Sequence, residues 1–119
     1  MKITEINTQT YKIPLPEPVE AYAAGIMKAY DLVICRIIND EGLEGVGYIT
    51  VHENQGLAIQ QIIQNSFIHL IKGQDPRYIE KLWYNMWKSV HYAGRGAPVS
   101  FAIAAVDVAL WDLKGKCLN

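Results

Sequence analysis

The chain has 119 residues, enough for one domain that buries about two-thirds of its unfolded surface. A formal net charge of −1 with no run of Lys or Arg excludes the basic footprint of a nucleic-acid or anionic-membrane binder. Half of the residues are hydrophobic and only 19% are charged, which excludes a disordered chain and leaves more apolar surface than a small core consumes.

Residues 2–13 set Ile3, Ile6, Tyr11 and Ile13 among Thr and Gln, a β-prone pattern with one solvated side, and Pro14 predicts the end of that strand. This segment has no apolar signal core, and no stretch of the chain is long and apolar enough to span a bilayer, so a soluble cytoplasmic protein is expected. Residues 15–28 carry Pro16, Pro18 and Gly25 without a clear period, which predicts a long loop. Its Tyr22, Ile26, Met27 and Lys28 make it too apolar for a linker and point to function. Residues 32–38 are apolar on both faces and predict a central strand. After a turn at Asp40, Glu41 and Gly42, residues 45–51 return as its hairpin partner. Gly45 and Gly47 leave one side of this third strand bare, which suits close approach of a backbone or a ligand.

Residues 52–56 form a second loop. Ile59, Ile62, Ile63, Ser66, Phe67 and Leu70 then recur at helical spacing up to Gly73. Asp75-Pro76 predicts the start of a second helix, in which Ile79, Leu82, Trp83, Met86, Trp87 and Val90 form one stripe. Tryptophans at helical spacing are expected in the core rather than in a ligand cage. Residues 91–97 break that helix. The last helix, residues 99–116, has two apolar faces: Val99, Ala102, Ile103, Val106, Ala109, Leu110, Leu113 and Cys117 on one side, Phe101, Ala104, Val108 and Trp111 on the other. The charges fall on the seams, where Asp107 with Lys114 and Asp112 with Lys116 are expected as structural ion pairs. Cys35 and Cys117 have no metal or redox spacing and predict free thiols in a reducing compartment. The order of elements predicts an α+β fold, a three-stranded antiparallel sheet followed by three helices packed on it. The second face of the last helix has no obvious cover and predicts a docking surface for a body outside this polypeptide.

The run Ala102-Ile103-Ala104-Ala105-Val106-Asp107-Val108-Ala109-Leu110-Trp111-Asp112-Leu113-Lys114-Gly115-Lys116 resembles the signature helix of the mandelate racemase and muconate lactonizing enzyme branch of the enolase superfamily. The resemblance implies that residues 1–119 are an N-terminal capping domain and that this chain stops about where a C-terminal (β/α) barrel would begin. It also implies abstraction of a proton beside a carboxylate, with Mg²⁺ and the catalytic acids and bases held by the absent barrel. The implied parent is a sugar-acid dehydratase or a racemase, and a Gly94-Arg95-Gly96 segment similar to the acid-sugar dehydratases favours the former.

The residues themselves offer no catalytic or metal set. Asp107 and Asp112 are about 140° apart around one helix and cannot share an ion. No other acids have ligand spacing on one helix face, so no catalytic residue and no metal ligand is expected in this chain. The resemblance implies that residues 15–29 and 48–54 close over the barrel mouth. The side chains expected to face a small carboxylate substrate such as an acid sugar are Tyr22, Met27, Lys28, Thr50 and His52. Expected partners are the chain's own barrel and a further copy in a homo-oligomer, with no nucleic acid and no membrane. The alternative is a freestanding homo-oligomeric binding or assembly module without catalysis, its spare face hidden by self-association.

Overall fold

The computed structural model describes residues 1–23 and 25–119. Strands β1 (Ile3–Ala21), β2 (Gly25–Asn39) and β3 (Glu44–His52) form one antiparallel sheet in the order β1-β2-β3. The doubly apolar run takes the middle place. Asp31, Val33, Cys35, Ile37 and Asn39 are buried beneath the helices, while Tyr30, Leu32, Ile34, Arg36 and Ile38 are half-buried on the other face. Burial pushes the Cys35 thiol up to about 12, which leaves it an inert core group.

The expected end of β1 at Pro14 and the expected loop over residues 15–28 are both corrected by the structure. Pro14 pairs with Ala29, and after a register shift Val19 faces Met27, Glu20 faces Ile26 and Ala21 faces Gly25. The two strands therefore run on as a hairpin arm. Pro14, Pro16 and Pro18 share one parity, and β1 is an edge strand that needs backbone donors on one side only. Ala24, part of the expected loop, lies outside the described residues.

The first helical rod runs through α1 (Gly56–Ile62), a π-helical stretch (Ile63–Phe67) and α2 (Ile68–Ile71). Its buried residues Ile59, Ile63, Phe67 and Ile71 are each four apart. A pure α-helix would carry that row around its axis, and the wider π turn keeps it on the core. Helix α3 (Ile79–Ser89) starts later than Asp75-Pro76 suggests, because Asp75 caps a local turn instead. Its carboxylate accepts the Arg77 backbone N–H at 2.9 Å and the guanidinium at 2.7 Å.

Helix α4 (Val99–Cys117) lies along β3. A Cβ on Gly47 would stand 2.5 Å from the Ala109 nitrogen, and one on Gly45 would stand 2.7 Å from the Leu113 nitrogen, so the bare side of β3 admits helix backbone. The Asp112 carboxylate accepts the Val46 N–H at 2.8 Å, and the Lys116 ammonium donates to the Glu44 carbonyl at 2.7 Å. These bonds shield an edge strand that would otherwise present free backbone groups. Among the described residues no helix is long and apolar enough to cross a membrane.

Candidate functional site

The hairpin arm and the β3–α1 loop carry the side chains singled out from the sequence. Tyr22 stands wholly exposed in the turn of the arm, close along the chain to the exposed Val19 and Ile26. Lys28 is exposed where β1 shifts register, and Met27 is half-buried across from Val19. On β3, Thr50 faces Leu32 and His52 faces Tyr30. Side chains alternate along a strand, so Lys28, Thr50 and His52 share the helix-free face, whereas Met27 shares the parity of Ala29 and Asp31 beneath the helices. The fold thus gathers three of the five on one face, places Tyr22 at the tip and sends Met27 to the other side.

The His52 imidazole is held close to the backbone. Its Nδ1 lies 3.4 Å from the Glu53 carbonyl oxygen, and its Nε2 is buried with no hydrogen-bond partner among the described residues. The His52 carbonyl accepts the Gln55 N–H at 3.2 Å, and Asn54 takes a left-handed φ of 71°, so residues 52–55 form a tight turn. A hollow of about 290 Å³ beside this turn is lined mainly by Val51, Ala58, Ile59, Pro98 and Phe101.

Sequence reasoning missed the residues that fix this turn. Lys12 donates to the Asn54 side-chain oxygen at 2.6 Å, and the buried Asp31 accepts the Gly56 N–H at 2.8 Å. Thr10 and Thr8 on β1 bind the Gln60 side chain at 2.6 Å and 3.1 Å. The signal that could have found Asp31 was its position: an acid of core-facing parity within a run of apolar residues has to be answered by a donor.

Phe101, Val108 and Trp111 on the second face of α4 are 41%, 47% and 52% exposed, and Ala104 between them is half-buried. Of the two seam pairs, Asp112–Lys116 forms at 2.8 Å. The expected Asp107–Lys114 pair does not. Seven residues separate the two by roughly 10 Å along the axis, and the Lys114 ammonium settles over the Trp111 ring, 5.1 Å from its centroid. Asp107 is left without an ion-pair partner among the described residues, and burial raises its pKa. The expected core placement of the tryptophans holds for Trp87, which packs partly buried against the core, and is corrected for Trp83. Ile79, Leu82, Met86 and Val90 take the core, while Trp83 is 40% exposed and Trp87 half-buried. The two rings stack at 6.3 Å, with the Arg95 guanidinium 4.8 Å from the Trp87 centroid.

Among the described residues no three His, Cys, Asp or Glu side chains converge to hold a metal ion. The described side chains thus offer no cluster of carboxylates of the kind Mg²⁺ takes. What the hairpin arm and the end of β3 offer is an ammonium, an imidazole, a hydroxyl and a phenol, groups suited to binding hydroxyls or a carboxylate.

The comparisons with known proteins agree with this architecture. The family model described as the N-terminal domain of mandelate racemase / muconate lactonizing enzyme matches residues 3–119. A 3,6-anhydro-alpha-L-galactonate cycloisomerase of Streptomyces coelicolor is 39% identical over 95% of this chain and 31% of its own length. A D-galactonate dehydratase of Verminephrobacter eiseniae is 40% identical over all of this chain and 26% of its own. Among solved structures, a racemase from Streptomyces coelicolor with bound magnesium superposes with a TM-score of 0.92 at 39% identity, covering 95% of this chain and 32% of that one. An L-talarate dehydratase from Polaromonas complexed with Mg and L-glucarate gives 0.86 at 28% identity, over 98% and 32%. The chain thus spans no more than a third of the length of these relatives. Its sheet, its helices and a match along nearly all of its residues lead to one conclusion: the chain belongs to the mandelate racemase / muconate lactonizing enzyme family and has the fold of its N-terminal domain.

Proposed function

We propose that this chain is the capping and specificity domain of a Mg²⁺-dependent enzyme that abstracts the proton beside a carboxylate in an acid sugar, and that it is inactive without a (β/α) barrel. The substrate class is that of the relatives named for galactonate and anhydrogalactonate chemistry. Mg²⁺ and the catalytic acids and bases are assigned to the barrel.

The observation that carries this reading is the bare side of α4. Phe101, Val108 and Trp111 keep roughly half of their surface in water on a helix whose opposite side is buried from Val99 to Leu113. Covering them would contribute about 1 kcal/mol each. With α4 docked, the arm and the β3–α1 loop would close over the barrel mouth and exclude water, which strengthens every charge interaction inside. Lys28, Thr50 and His52 would meet the substrate's polar groups, while Tyr22 at the tip of the arm supplies apolar contact; Met27, on the helix-facing side, would support the arm from behind.

The test joins this chain to the barrel of the Streptomyces coelicolor cycloisomerase in place of the matching N-terminal part. The fused protein is expected to turn over an acid sugar only with Mg²⁺, and Lys28→Ala and His52→Ala are expected to raise KM more than they lower kcat. The 119-residue chain alone, given Mg²⁺ and the same panel, is expected to be inert. Turnover by the chain alone, or a folded fusion without turnover, would overturn the proposal. A compact oligomer that shields Trp111 in sedimentation and fluorescence quenching would favour the freestanding module instead.

A further inference from the structure

Lys12 and Asp31 are direct cross-strand partners, of opposite charge and on the helix-facing side of the sheet. Such a pair ordinarily binds itself. Here the Lys12 ammonium instead reaches the Asn54 side-chain oxygen at 2.6 Å and stands 4.0 Å from the Glu53 carboxylate. The Asp31 carboxylate accepts the Gly56 N–H at 2.8 Å. Both side chains bypass each other to grip one loop at points two residues apart.

Their place in the chain gives this grip a second consequence. Lys12 lies two residues before Pro14, and Asp31 lies two residues after Ala29, the register pair at which the hairpin arm leaves the main sheet. The root of the arm and the β3–α1 loop are therefore bonded through the same pair. Packing allows little slack at this point. A Cβ on Gly56 would stand 2.7 Å from the Thr10 methyl and 2.8 Å from the Asp31 Cβ, so the loop backbone is pressed against both strands. Asp31 is 4% exposed, and its buried carboxylate turns to the Gly56 N–H rather than to its cross-strand partner Lys12.

We infer that Lys12 and Asp31 are positioning residues that clamp the β3–α1 loop to the root of the hairpin arm, so that the imidazole of His52 and the arm are held as one rigid unit. The relevance of the clamp to substrate choice rests on the proposed capping role; the clamp itself does not.

The experiment uses the 119-residue chain and follows amide hydrogen exchange together with the NMR resonances of the His52 ring. Asp31→Ala and Lys12→Met are each expected to speed exchange at Gln55 and Gly56 by roughly tenfold, the scale of a lost cap, and to shift the His52 ring signals. Amides of the core strands, such as Val33 and Cys35, are expected to keep their rates. Asp31→Asn retains an oxygen that can accept the Gly56 N–H and is expected to restore the slow rate. Lys12 is exposed, so its variant stays informative if Asp31→Ala does not fold. Equal acceleration of loop and core amides, an unmoved His52 ring, or no rescue by Asp31→Asn would each overturn the clamp. A clamp that holds in the free chain while the fused enzyme ignores Lys28 and His52 would place the fault in the capping role.

Discussion

Gly47→Ala isolates the contact on which the helix layer rests. Alanine normally improves on glycine in a strand by about 0.5–1 kcal/mol, because it has less chain entropy to lose on folding. Here the added methyl would stand 2.5 Å from the Ala109 nitrogen and 3.2 Å from its Cα, and would also meet the Ala105 carbonyl oxygen. These are helix backbone atoms and cannot rotate aside, so α4 would have to withdraw by roughly 1 Å along much of its contact with β3. That withdrawal stretches the Asp112 bond to Val46, now 2.8 Å, and loosens the packing of Ala105, Ala109 and Leu113, all fully buried. Overpacking of a rigid core costs about 1–3 kcal/mol, and we expect about 3 kcal/mol or more here because backbone opposes backbone. Urea unfolding followed by circular dichroism and tryptophan fluorescence measures it. Gly115→Ala is the control: it lies on α4 with open space around it, and its expected effect is a gain of about 1 kcal/mol. A Gly47→Ala chain as stable as the parent would refute the reasoning, since it would mean that α4 does not rest on bare strand backbone.

Asp107→Asn is expected to stabilise the chain at neutral pH by less than about 1 kcal/mol, the gain being small because the carboxylate keeps part of its water. Burial raises the folded pKa above 3.8, so this carboxylate destabilises the fold once ionised; in urea titrations the advantage of Asn should be present at pH 7 and vanish below that value. Asp75 should behave in the opposite sense. The Arg77 guanidinium holds its carboxyl down at about 2 against an ordinary 3.8, so its stabilisation is complete above 3.8 and disappears as pH falls toward 2. Asp75→Asn should flatten that stretch of the acid limb in thermal melts, and only slightly, because solvent screens the exposed Arg77 guanidinium.

Residues whose environment is set by their near neighbours in the chain were legible without coordinates. The doubly apolar run from Leu32 to Ile38 had to be the middle strand, and the helical spacing of Ile59, Ile62, Ile63, Ser66, Phe67 and Leu70 had to be a helix, although the buried row proved to run through Ile71 rather than Leu70. The bifacial pattern of α4 likewise announced an uncovered side, because each face of a helix is written in its own spacing. Tertiary structure decided what depends on which strand is an edge and which side chain reaches first. Three prolines of one parity read as a loop until β1 is known to need donors on one side only. Lys114 takes the nearer indole over a carboxylate two turns away. Lys12 and Asp31 pass each other by to hold a loop that the sequence places more than twenty residues downstream of either. Spacing along a chain fixes which face a residue joins; only the folded neighbourhood fixes what it touches there.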